Sequence, residues 1–245
     1  TFDGSKVKGE GGSQPSNDCE RDHKSERAEL YSKYFKLGEK WYSWSIYVPG
    51  GQEKFSPASL KMGQFQSKLH KKYIQQAHFE HNDGKYTFNN VVCGYECKSR
   101  SIDPVGKWTD IIINVNWSDK EDGFYRVWAN GKFIYDVKGP TVYENKNNAY
   151  LKIGIYRNAV NRLWSMGRDG GITVVYYDNI NTGETMESVL GKLNYPIELE
   201  YKKSEKELLQ EELAILKIKI KENNDPEISR KIHKLKRKLK RLELN

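Results

Sequence analysis

From about residue 25 to residue 185 the chain is written in short runs of β-forming residues, each closed by a turn signal. The runs are KWYSWSIYVP (40–49), SLKMGQFQSKL (59–69), FEHNDGKYTF (79–88), TDIIINVNW (109–117), VWANGKFIYDV (127–137), YLKIGIY (150–156) and ITVVYYDNI (172–180). Asn130-Gly131 and the Asn-Asp-Gly at the centre of 79–88 are hairpin signals, because their residues accept the positive φ of tight turns. No helical periodicity separates the runs. Many short strands with turns and no crossover helices predict an antiparallel sandwich, not a parallel α/β sheet.

One run predicts more than a strand. In YLKIGIYRN (150–158), Leu151, Ile153 and Ile155 alternate with Tyr150, Lys152, Gly154 and Tyr156. Successive side chains of a strand point to opposite faces. One face is therefore aliphatic, and the other offers two phenols, an ammonium and bare backbone, with Arg157 next in sequence.

The pattern changes after Pro196. Ser204-Glu-Lys-Glu207 reads as a capping box, and Leu209, Leu213, Leu216 and Ile220 follow at 4-3-4 spacing. Asn223-Asn224-Asp225-Pro226 ends that helix and starts another, in which Ile228, Ile232, Leu235, Leu239 and Leu242 repeat 4-3-4-3. The expectation is a sandwich domain over 1–196 and an αα-hairpin over 197–245, its seams buried on each other or on the sandwich. Self-association through the hairpin is the other use such seams have, and the basic second helix leaves a third reading, in which the hairpin binds nucleic acid or an anionic surface with a sugar-binding domain attached. Residues 1–18 are Gly/Ser-rich and polar, and read as loose or edge structure.

Charge follows the same division. The net +8 is concentrated in the tail, where residues 201–245 hold 14 Lys and Arg against 8 Asp and Glu, while the first 200 hold 27 against 25. The basic pI therefore says little about the ligand of the main domain. No apolar run is long enough to span a membrane. Cys19, Cys93 and Cys97 lack the partners of a zinc set. Cys93 and Cys97 either close a small disulfide in an oxidising compartment or remain thiols.

Three stretches carry the chemistry. Arg27-Ala-Glu29-Leu30 sets Arg27 and Glu29 on one strand face, Gln64-Phe-Gln66 sets two amides on another, and 150–156 supplies phenols and ammonium. Together on one concave face they would suit an extended anionic sugar chain: amides and cations for the carboxylates, aromatic faces for the rings, and Gly154 for close approach.

R-x-E-L, Q-x-(H) and Y-x-K-x-G-x-Y resemble the signature strands of the jelly-roll polysaccharide lyases, which include the family 7 alginate lyases, heparin lyase I and the family 20 glucuronan lyases. WYSWSIYVPGG, KWTDIIINVNWSDKEDGFYRVWANGK and YLKIGIYRN add to the likeness, which runs in family order over about 25–185 and is strongest toward the glucuronan and heparin lyase branch. The resemblance implies an all-β, concanavalin-like antiparallel jelly roll. It also implies β-elimination on a uronate polymer, with β-1,4-glucuronan the preferred substrate. No organic cofactor is implied, and calcium is left only as a structural ion, since the chain has no dedicated loop for it. A secreted or periplasmic location follows, with an anionic polysaccharide as partner and no nucleic acid.

The proton at C5 of a uronate is too weak an acid to leave unaided, so hydrogen-bond donors must neutralise the adjacent carboxylate. Gln64, Arg27 and Asn116 are the candidates. A base then takes the proton and an acid protonates the departing O4. A tyrosine serves for both where cations stabilise its phenolate, and Lys152 and Arg157 are the cations near it in sequence. By resemblance, heparin lyase I points to Lys152 and Tyr156, and the alginate lyases to Tyr150; Tyr156 ranks first. Glu29, Gln66, His70, Asn116 and Arg157 complete the expected substrate contacts.

The chain departs from the family at Gln66, where Q-x-H carries its histidine. His70 could substitute only through a bulge, and His78 and His81 read as surface imidazoles beside a turn. In glucuronate and mannuronate the C5 proton and O4 leave from the same side, so one tyrosine suffices. The missing histidine thus favours those sugars, or else a binding module that has lost turnover. A glycosidase would need two facing carboxylates, and no such pair is evident. The tryptophans at 41, 44, 108, 117 and 128 read as core.

Overall fold

The computed structural model describes residues 25–243 apart from the short segments 35–36, 52–57, 70–71, 83–84, 94–96, 144–148, 169–170, 192, 194–195, 199–204 and 224. Cys19, His70 and Ser204 of the proposed capping box lie outside the described residues. The chain divides into two compact units, Thr1–Leu199 and Glu200–Asn245.

Among the described residues ten strands build the first unit: β1 (Ser25–Tyr31), β2 (Gly38–Tyr47), β3 (Ser59–Leu69), β4 (Lys72–Asn82), β5 (Lys85–Asn90), β6 (Thr109–Trp117), β7 (Phe124–Ala129), β8 (Lys132–Lys138), β9 (Ala149–Asn158) and β10 (Tyr176–Gly183). They form two five-stranded antiparallel sheets, ordered β1-β9-β3-β4-β5 and β10-β2-β6-β7-β8. This is the predicted sandwich. Asn130 and Gly131 join β7 to β8 with φ of 47° and 75°, as a hairpin turn requires. The last run is shifted: β10 begins at Tyr176, not Ile172. Two short helices interrupt the β pattern, α1 (Asn161–Trp164) and α2 (Met186–Leu190), the latter started by a capping box of Thr185 and Ser188.

Between the sheets lies one apolar layer. Leu60, Met62, Phe65, Ala77, Phe79, Tyr86, Phe88, Leu151 and Ile153 from the first sheet meet Tyr42, Trp44, Ile46, Ile111, Ile113, Val115, Trp117, Tyr125 and Val127 from the second. The aliphatic face of β9 therefore points inward and its polar face outward. Trp44, Trp117 and Trp128 are buried as expected, but Trp108 is half exposed beside Tyr47. Cys93 and Cys97 are joined by a disulfide.

In the second unit α3 (Glu205–Asn223) and α4 (Pro226–Glu243) form the hairpin. The Asp225 carboxylate accepts from the Glu227 backbone N–H at 2.8 Å, and Pro226 takes the first helical position, where its missing N–H costs nothing. Leu209 and Leu239 are buried and the other seam residues half-buried, while Lys238 pairs with Glu205 at 2.6 Å. No described helix is long and apolar enough to cross a membrane.

Candidate active site

The outward face of the first sheet carries two rungs of side chains in register across its strands. One reads Arg27, Tyr156, Lys61, Glu80 and Thr87; the other reads Tyr31, Lys152, Gln64, His78 and Asn89. A strict alternation would put Lys61 and Gln64 on opposite faces. The register of β3 shifts between them, against both β9 and β4, and that bulge returns both to the outer face. A second shift in β4 brings Gln75 and His78 to the same side.

Glu29 is the hub. Its side chain is 2 % exposed, accepts from Lys152 Nζ at 2.6 Å and from Gln64 Nε2, and has Arg27 Nη1 at 4.0 Å. To reach Gln64 on β3 from β1 it must pass over β9, and it does so beside Gly154, its register partner. A Cβ at Gly154 would stand 2.1 Å from the Ala28 carbonyl oxygen and 2.8 Å from Glu29 Cα, and its φ is +140°. The glycine is needed for β1 to lie this close, which is a stronger constraint than the close approach of a polymer.

Every amide in the network has a fixed orientation. Lys61 only donates, so its 2.9 Å bond to Gln75 sets the Gln75 oxygen and turns the Gln75 amide nitrogen to Gln64 Oε1 at 2.6 Å. Gln66 donates to the same oxygen at 3.0 Å, leaving its own oxygen to accept from Tyr150 Oη at 2.9 Å. Tyr150 is thus a buried phenol held as a donor, with the rings of Tyr31 and Tyr34 edge-on to it. Tyr156 is half-buried, its hydroxyl 3.3 Å from Ser25 Oγ and 3.4 Å from Asn158 Oδ1. The Arg27 guanidinium lies 4.5 Å from its ring centroid and Lys61 Nζ 5.7 Å away.

Arg27, Glu29, Gln64, Gln66, Tyr150, Lys152 and Tyr156 therefore share one face. Two expected residues do not. Arg157 follows Tyr156 by one position and so points to the opposite face, where it pairs with Glu26 at 3.0 Å and donates to the Gly171 carbonyl. Asn116 lies on β6 in the other sheet and donates to the Asp122 carbonyl at 2.9 Å, bracing the turn that follows its own strand. The cations beside Tyr156 are Arg27 and Lys61, not Arg157.

Lys61, His78, Glu80 and Asn89 were not among the expected site residues. His78 is no surface imidazole: it is 8 % exposed, directly across from Gln64, with Nε2 3.6 Å from Glu80 and 3.3 Å from Asn89 Nδ2. Its Nδ1 is buried without a hydrogen-bond partner. Burial pulls the imidazole below its ordinary value against the opposing polar contact with Glu80. That same contact with His78 holds Glu80 down at about 2. Burial also pulls the Lys61 ammonium below the usual lysine range, opposed by Glu80 and Glu29. The H-x-E alternation of 78–80 was the available signal for this pair. Lys61 had none, because the bulge that exposes it is not written in the residue pattern. No group of three or more His, Cys, Asp or Glu able to hold a metal is found among the described residues.

The fold has known relatives. An endo-β-1,4-glucuronan lyase from the fungus Trichoderma reesei is similar at 15 % identity and a TM-score of 0.53, over 67 % of this chain and 77 % of its own. An alginate lyase from Pseudomonas aeruginosa is similar at 12 % identity and a TM-score of 0.43, over 65 % of this chain and 74 % of its own. No curated protein sequence matches the chain. The polysaccharide lyase family model matches residues 2–181, an interval that holds both rungs, Glu29 and the whole first sheet. With that match over most of its length, the chain belongs to the polysaccharide lyase family.

Proposed function

We propose that this lyase cleaves a uronate polymer at its 4-linkage by β-elimination, with Tyr156 as base and acid and β-1,4-glucuronan as the preferred substrate. The observation that carries the proposal is the convergence of Arg27, Glu29, Gln64, Lys61, Lys152 and Tyr156 on one sheet face. Arg27 and Lys61 flank Tyr156 with positive charge, which favours a substrate carboxylate beside it. In the reaction the phenolate takes the C5 proton, the C5–H electron pair forms the C4–C5 double bond, and the C4–O4 bond breaks. The proton on the tyrosine then passes to the departing O4. Glu29 keeps Gln64 and Lys152 in place and leaves the accessible cations to the substrate.

The Trichoderma reesei relative acts on β-1,4-glucuronan, whose syn geometry one tyrosine can serve. Tyr150 is less suited, because its hydroxyl already donates to Gln66. The reaction as written uses only side chains, so we assign it no organic cofactor, and any calcium would be structural. The disulfide fits a secreted or periplasmic location. A second reading, a sugar-binding module without turnover, is favoured by the network being satisfied among its own side chains.

Ultraviolet absorbance decides between them, since elimination creates a conjugated unsaturated uronate. Purified protein is mixed with glucuronan, polymannuronate, polyguluronate and a heparin-type chain. A rise on glucuronan that Tyr156→Phe abolishes and Tyr150→Phe largely retains is the expected result. Flat traces with binding retained would establish the second reading.

A further inference from the structure

The proposed reaction is assigned to residues of the first unit, and α4 of the second unit carries a charge with no counterpart elsewhere in the chain. Between its terminal Glu227 and Glu243, α4 has eight Lys or Arg and no acidic residue, whereas α3 is nearly balanced with five Glu and four Lys. All eight are exposed. Four of them, Arg230, Lys234, Arg237 and Arg241, recur at 4-3-4 spacing, two residues out of step with the seam of Ile228, Ile232, Leu235 and Leu239. Two residues are about 200° round a helix. These four cations therefore form a straight stripe about 16 Å long on the side opposite the buried seam.

Like charges at this spacing repel and cost helix stability. Among the described residues two acidic contacts offset little of this: Glu227 with Lys231 at 3.7 Å and Glu205 with Lys238 at 2.6 Å, neither of them on the stripe. A second copy of the same stripe would repel it, so the stripe is not self-complementary. Its complement is a polyanion. Among the described residues of the catalytic face, meanwhile, Arg27, Lys61, Lys98 and Lys152 stand against Glu29 and Glu80, an excess of two positive charges. That is little to hold a polymer bearing a carboxylate on each sugar.

We infer that the basic stripe of α4 is a second binding site for the polyuronate substrate, a tether that keeps the polymer on the enzyme between cleavages. The inference rests on the polyuronate reading of the active site. Joining two sites that bind one polymer makes the second contact intramolecular, raising apparent affinity without altering the chemistry. The contact is electrostatic and so weakens with salt.

The test uses the full chain with Arg230, Lys234, Arg237 and Arg241 all changed to Gln, and a second variant with all four changed to Glu. Circular dichroism and melting check that both are folded; Gln keeps helix propensity and leaves the two acidic contacts in place. Retention on immobilised glucuronan and polymannuronate is measured against salt, with duplex DNA and phosphatidylserine vesicles as comparison probes. KM and kcat are measured on the long polymer and on a tetramer. The expected result is loss of the salt-sensitive retention and a rise of about tenfold or more in polymer KM, with kcat and the tetramer KM unchanged.

Unchanged polymer KM and retention in both variants would overturn the tether. So would tighter retention of the parent chain on DNA or vesicles than on either polyuronate, which would assign the stripe to nucleic acid or a membrane surface. The two readings fail separately. Stripe-dependent retention without cleavage of any polyuronate leaves the tether and sinks the proposed reaction, while cleavage with stripe-independent KM does the reverse.

Discussion

At the scale of single residues, Glu29 orders the site more than any group expected to touch the reacting atoms. It is buried, and it is the counter-ion that lets Lys152 be buried too. Removing one partner of such a pair leaves an unpaired charge, at a cost of about 3–5 kcal/mol. Glu29→Ala is expected to lower the denaturant midpoint accordingly, and a loss under about 1 kcal/mol would mean that water takes over the Lys152 ammonium. His78 gives a pH signature. Its neighbours are Glu80, Asn89, Lys61 and Lys98. Folded His78 binds its proton less tightly than an unfolded histidine, so the unfolded state takes up a proton first as pH falls through about 6.5. Stability is lost downward from there. Glu80 adds a further loss between its ordinary value of 4.5 and about 2. In His78→Gln the fall in Tm between about pH 6.5 and pH 5 should flatten; an unchanged slope would place the titration elsewhere.

At the scale of elements, the sheet was legible where residue pattern and backbone agree, and illegible where the backbone breaks the pattern. Asn130-Gly131 specified its hairpin because both residues tolerate positive φ. The polar face of β9 followed from simple alternation, and with it the company of Tyr150, Lys152 and Tyr156. The same alternation excludes Arg157, which sequence proximity had suggested. Lys61 was hidden by the shift in β3, and His78 lay on a strand whose start at Lys72 carried no clear signal. Asn116 was misplaced because periodicity does not say which of two sheets a strand joins. Gly154 tests this level directly. Gly154→Ala would force a Cβ against the Ala28 carbonyl at a φ that L-residues avoid, and should destabilise by about 3 kcal/mol or more. Amide exchange should show β1 loosened from β9; protection of β1 equal to that of the parent would contradict the packing argument.

At the scale of the whole molecule, a face built from rungs has a metric consequence. Antiparallel strands stand about 4.8 Å apart, close to the rise of one residue in an extended 1,4-linked pyranose chain. A polymer laid along Arg27, Tyr156, Lys61, Glu80 and Thr87 would meet one side chain for each sugar, so the sheet would act as a ruler. Five strands give five graduations, and only the first three carry a cation or the phenol proposed to react. Against oligouronates of increasing length, kcat/KM should climb steeply until each graduation is filled and then level off at about five residues. A plateau at two would mean that the chain runs along a strand, reading one rung at a time.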